Sequence, residues 1–125
     1  MPTIQLTTQD FKDKIFDYES SETWQYKGNK PAIIDFYADW CGPCKAVAPV
    51  LEELSETYKD QVDIYKLDTD AEQELSALFG IQSIPTFLFI PMDGAPMMQK
   101  GAIPKNAFTQ VIEERLLQEE GKNGK

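Results

Sequence analysis

The chain has 125 residues, of which 42% are hydrophobic and 26% charged, with a net charge of −9. It is one domain's worth of ordinary globular sequence, long enough to bury a hydrophobic core. An acidic surface repels phosphate backbones and anionic lipid, and no apolar stretch approaches the ~20 residues of a membrane span, so nucleic-acid and membrane roles are set aside. There is no histidine, which excludes imidazole catalysis and with it the Cys–His pair of cysteine proteases. Met1 to Asp10 has neither a basic start nor an apolar run. It therefore does not read as a signal peptide, and the expectation is a cytoplasmic protein, or an envelope protein whose leader was trimmed.

Thr7 and Asp10, followed by Phe11, Ile15 and Phe16, have the pattern of a capped amphipathic helix over 8–18. Residues 19–31 are polar and contain Gly28, Asn29 and Pro31, as in a loop. Trp24 and Tyr26 interrupt that polarity and are expected to pack as a lid over the core edge. Ala32 to Ala38 is nearly all apolar and reads as a strand buried on both faces of a parallel sheet. A helix is expected over 42–58, with Val47, Val50, Leu51 and Leu54 at helical spacing and Pro49 inside it as a kink.

A second strand is expected over 62–67 and a short helix over 71–79, closed by Gly80. Then come a strand over 86–90, a turn at Met92 to Ala95 and a partner strand over 96–100, which so short a connection makes antiparallel. The last helix, 103–118, turns Phe108, Val111, Ile112 and Leu116 inward, and Glu119 to Lys125 is expected to fray. The pattern describes a single α/β domain over 1–125, with a central mixed sheet of four to five strands flanked by about four helices.

The only two cysteines lie three residues apart in Trp40-Cys41-Gly42-Pro43-Cys44. If Cys41 opens the 42–58 helix, both fall on one face of its first turn, at about the 5–6 Å Cα separation that a disulfide prefers. The free N–H groups and positive dipole end of that turn favour a thiolate on Cys41. Cys41 is thus the attacking nucleophile and Cys44 the resolving thiol. A purely structural disulfide gains little here, since closing four residues is worth only about 2 kcal/mol against roughly 3 for fifteen. A zinc site lacks ligands, with two cysteines and no histidine for the four that such sites take.

These residues resemble the thioredoxin family. Trp40-Cys41-Gly42-Pro43-Cys44 matches the family's active-site motif letter for letter. Asp35 lies six residues before Cys41 and Pro49 five after Cys44, while Ile84-Pro85-Thr86 and Gly101-Ala102 recur at family-like positions. The likeness runs over roughly residues 4–118.

The resemblance implies the thioredoxin fold and a protein-disulfide reductase working by dithiol–disulfide exchange through a redox-active Cys41–Cys44 disulfide. It implies that Asp35 is a buried carboxylate behind Cys44, its pKa raised by desolvation so that it can accept the Cys44 proton; the alternative is a strand-end aspartate facing water. It places Lys66 near that carboxylate, against the alternative of an outward, snorkelling lysine. It makes Pro85 a cis-proline facing the cysteines, where the residue pattern alone would suggest a trans proline opening a strand. It further implies a shallow apolar rim of Trp40, Gly42, Pro43, Ile84, Gly101 and Ala102, reading substrates through their backbone.

Reductant is then supplied by an NADPH-dependent thioredoxin reductase. The chain itself is expected to carry no cofactor or metal and to act as a monomer on disulfide-containing protein substrates. An envelope oxidase or isomerase, or a binding module with secondary redox activity, would use the same residues differently. The sequence departs from the family in its longer 19–31 segment, in Tyr37 where tryptophan is common, in Ser83 for a frequent glycine, and in Lys100 where an apolar residue is frequent.

Overall fold

A computed structural model describes residues 3–117; the expected fraying of 119–125 lies outside that range. Five strands form one sheet: β1 (Ile4–Gln5), β2 (Ala32–Tyr37), β3 (Asp63–Asp68), β4 (Thr86–Ile90) and β5 (Met97–Lys100). Their order is β1-β3-β2-β4-β5. β1, β3 and β2 run parallel, and β4 and β5 antiparallel to their neighbours. The helices are α1 (Thr8–Lys14), α2 (Gly42–Thr57), α3 (Gln73–Leu78) and α4 (Lys105–Val111), the last continued by a π-helical turn over Ile112–Leu116.

The period-two alternation of the central strands sorts side chains onto two cores. Ile33, Ile64, Phe87 and Phe89 pack with Val47, Leu51 and Leu54 of α2 and with Phe108 and Ile112. Ile34, Phe36, Leu67, Leu88 and Ile90 pack with Phe11 of α1, Ile15 and Leu75 of α3. Helices therefore cover both faces, and the near-continuous apolar run of β2 is explained by burial on each side. Asp35 and Lys66, alternating with these residues, fall on the α2 face.

Several boundaries differ from expectation. β1 is an addition to the expected elements: two residues are too short for a periodic pattern, and the strand is defined by its pairing with β3. The capping box of α1 forms, with the Thr7 hydroxyl accepting from the Asp10 N–H and the Asp10 carboxylate accepting from the Thr7 N–H. That helix nevertheless stops at Lys14, not at 18, as the Phe16 N–H bonds the Phe11 carbonyl five residues back. α4 starts at Lys105 because Pro104 is its N-cap and disfavours helical backbone at Ile103. Gly80, at φ +64°, ends α3, with the N–H groups of Gly80 and Ile81 closing on Ala77 and Ser76.

The 19–31 segment packs as expected of a lid. Trp24 and Tyr26 lie half-buried against the α1/α3 core, with the Trp24 ring 4.9 Å from that of Phe16. No helix among the described residues is long and apolar enough to cross a membrane.

Candidate active site

β2 delivers the chain to the carboxyl-terminal edge of the sheet, where Ala38 to Trp40 turn into α2. Cys41 is the N-cap of that helix, and Pro43 fills a first-turn position where a missing N–H has no cost. Cys41 and Cys44 are joined as a disulfide with Cα atoms 5.2 Å apart. The Cys44 N–H donates to Cys41 Sγ at 3.2 Å, so the cap contact that most helices obtain from an oxygen is here made by sulfur. This N–H and the positive end of the helix dipole meet at one atom, an arrangement that favours a thiolate once the disulfide opens.

The Ile84–Pro85 peptide is cis, and the Ile84 carbonyl oxygen lies 3.8 Å from Cys41 Sγ. Pro85 is buried, Ile84 half-buried. The loop is braced from both ends: the Thr86 hydroxyl donates to the Ser83 carbonyl at 2.7 Å, and the Gly101 N–H donates to the Pro85 carbonyl at 2.8 Å. Gly101 has φ +87°, backbone that only glycine adopts without strain. It thereby brings the Gly101-Ala102 step beside Pro85. Trp40, Gly42, Pro43 and Ala102 are exposed around the buried disulfide. Trp40 is 70% exposed, yet its indole N–H donates to Asp70 at 2.8 Å.

Behind the disulfide is a cavity of about 90 Å³ lined by Asp35, Tyr37, Asp39, Cys44, Lys45 and Lys66, among others. Asp35 is 1% exposed and neither of its carboxylate oxygens has a hydrogen-bond partner. Burial pushes its pKa up to about 7, against the opposing positive charge of Lys66. Lys66 lies directly opposite Asp35 in the β2–β3 register and is half-buried, so it is not the outward strand lysine. Among the described residues no group of three or more His, Cys, Asp or Glu side chains is placed to hold a metal ion.

The fold thus brings Cys41, Cys44, Asp35, Lys66 and Pro85 to one edge of the sheet, with the six rim residues around them. It adds residues that sequence reasoning missed: Asp70, which fixes Trp40, and Asp39 and Lys45, which line the cavity. Asp70 is thirty positions from Trp40 in a polar stretch, and nothing local marks it.

A cysteine pair at a helix start, facing a cis-proline at the edge of a mixed sheet, defines the thiol–disulfide exchange class. Comparison with known proteins agrees. The family model described as Thioredoxin matches residues 2–114. The chain is 50% identical over 111 residues to a thioredoxin of Borreliella burgdorferi, covering 89% of this chain and 95% of that protein. It is 33% identical over 112 residues to thioredoxin 1 of a Nostoc species, covering 90% and 95%. Among solved structures it resembles chloroplastic thioredoxin z, with a TM-score of 0.75 and 25% identity over 90% of this chain and 92% of that one. The chain belongs to the thioredoxin family and is a protein dithiol–disulfide oxidoreductase with Cys41–Cys44 as its redox centre.

Proposed function

We propose that the protein works in the reducing direction, with Cys41 as nucleophile, Cys44 as resolving thiol and Asp35 as the base that serves Cys44. The Cys41 thiolate attacks one sulfur of a client disulfide. A mixed disulfide forms, and the client's other sulfur leaves as a thiolate that takes a proton from water. Asp35 accepts the proton of the Cys44 thiol across the shared cavity. Cys44 then attacks Cys41 Sγ, the Cys41–client bond breaks, and the second client sulfur departs to be protonated. Two electrons have passed to the client, and the Cys41–Cys44 disulfide remains. Lys66 tempers the basicity of Asp35 through its charge.

The rim of Trp40, Gly42, Pro43, Ile84, Gly101 and Ala102 receives the client. Backbone beside Pro85 pairs with an extended segment, and the small residues permit close approach. This supports broad selectivity among disulfide-containing proteins. An NADPH-dependent thioredoxin reductase restores the dithiol, which suits a cytoplasmic setting and a monomer that exposes one redox face to reductase and client in turn.

The observation that carries this reading is the buried, unpartnered Asp35 carboxylate sharing a cavity with Cys44. The test is the reduction potential of Cys41–Cys44, measured in graded thiol/disulfide buffers with alkylation of free thiols. A value well below the glutathione pool is expected. A value at or above roughly −180 mV, that of disulfide isomerases, would overturn the reductive direction.

A further inference from the structure

Asp35, Tyr37 and Lys66 form a cluster on the α2 face of the sheet. Asp35 and Tyr37 are two residues apart on β2 and leave the same face, and Lys66 stands opposite Asp35 on β3. All three line the cavity behind Cys44. A lysine beside a buried carboxylate whose oxygens have no hydrogen-bond partner has an evident counter-ion. Lys66 does not take it: none of the ion pairs among the described residues includes Lys66. Its Nζ rests instead 4.6 Å from the centre of the Tyr37 ring, inside the roughly 6 Å range of a cation–π contact. That ring is anchored in turn, because Gln5 Nε2 on β1 donates to Tyr37 Oη at 3.0 Å.

We propose that Tyr37 is a positioning residue for the exchange reaction, holding the Lys66 ammonium on its ring and so keeping that charge off Asp35. The inference rests on the reading of Asp35 as the base for Cys44. A direct Lys66–Asp35 ion pair would favour the ionised carboxylate and leave it a poor proton acceptor. With the ammonium drawn toward Tyr37, burial remains the stronger influence on Asp35 and Lys66 only a partial counterweight. The other charged groups around the cavity are Asp39, after β2, and Lys45, on α2; Asp68 on β3 acts on Tyr37. Both cysteines are uncharged while bonded to each other. Tyr37 thus supplies a ring face for Lys66 and a hydroxyl for Gln5 together.

The test is the titration of the Asp35 carboxyl, followed by carbon-13 NMR in the oxidised protein, where neither cysteine titrates. Tyr37→Leu removes the ring and lets Lys66 fold back, and is expected to lower the Asp35 midpoint by about one unit or more. Tyr37→Phe keeps the ring face and is expected to stay near the parent. Gln5→Ala, which loosens the anchor without entering the cavity, is expected to move the midpoint the same way by less. In a Lys66→Gln background the Tyr37→Leu effect should vanish.

A midpoint unchanged or raised in Tyr37→Leu overturns the proposal, as does the same fall in the absence of Lys66. The underlying reading fails separately: if Asp35→Ala turns over a protein disulfide at the parent rate across the pH range, Asp35 is not the base, whatever Tyr37→Leu does.

Discussion

The indole N–H of Trp40 donates to the carboxylate of Asp70 across 2.8 Å, tying the residue before Cys41 to the loop that follows β3. An aromatic ring that is 70% exposed would otherwise sample several rotamers. This hydrogen bond favours one orientation of the ring. An exposed bond of this kind is worth about 1 kcal/mol or less. Asp70→Ala should therefore lower kcat/KM for a protein disulfide by about two- to fivefold. Turnover of a small aromatic disulfide, which does not need the rim, should stay near the parent value. An equal loss with both substrates would place the role of Asp70 in the chemistry and not in client contact.

Asp35 makes stability depend on pH in a direction opposite to most carboxylates. Its pKa is raised from 3.8 to about 7 on folding, so between those values the folded state holds the proton more tightly than the unfolded chain. Well below pH 3.8 both states are protonated and there is no penalty. As pH rises toward 7 the folded state loses stability, and above about 7 the full penalty is present, on the order of 4 kcal/mol. Asp35→Ala should remove that slope. By denaturant unfolding the variant should gain on the parent progressively from pH 4 to pH 8, and a pH-independent difference would show that Asp35 is not buried as described.

The two cysteines should part company when replaced singly. Cys44→Ser is expected to accumulate a mixed disulfide through Cys41 with a client protein, visible by mass spectrometry and reversed by added thiol. Cys41→Ser should form far less adduct, since Cys44 lines the cavity behind the disulfide with Asp35 while Cys41 sits at the helix N-cap. Equal adduct from both variants would remove the assignment of Cys41 as the nucleophile.

Core packing predicts a large effect far from the chemistry. Phe108 is fully buried, with its ring centroid 4.9 Å from that of Phe87 and 6.2 Å from that of Phe89. Phe108→Ala should cost about 3–5 kcal/mol in unfolding free energy. Because the residue lies away from the cysteine face, the reduction potential of the variant, measured while folded, should match the parent.

The helix start of α1 offers a smaller, local test. Thr7 and Asp10 satisfy each other's backbone N–H groups, and Thr7→Ala should cost about 1 kcal/mol. A larger loss would mean that α1 nucleates more of the fold than its own seven residues.

Much of this protein could be read from local pattern. The apolar run of β2, the helical spacing of Val47, Leu51 and Leu54, and the turn between β4 and β5 follow from side-chain period and turn chemistry, which act over a few residues. The Cys41–Cys44 spacing likewise carries its own chemistry, since three residues at a helix start fix the geometry of the pair. The harder elements were those whose cause is distant. β1 exists only by pairing with β3, and α1 ends where Ile15 and Lys27 meet, the Lys27 N–H donating to the Ile15 carbonyl at 2.8 Å.

The sequence by itself determined the alternation of strands and helices, the redox pair and the presence of a carboxylate inside an apolar strand. These depend on contacts within one turn or one strand, so the residues that specify them are neighbours in the chain. Only the tertiary structure decided that Asp70 holds Trp40, that Lys66 faces Asp35 yet rests on Tyr37, and that Gln5 reaches the Tyr37 hydroxyl. Each of those contacts joins different strands or loops, and its geometry comes from strand order and register, which no local pattern encodes.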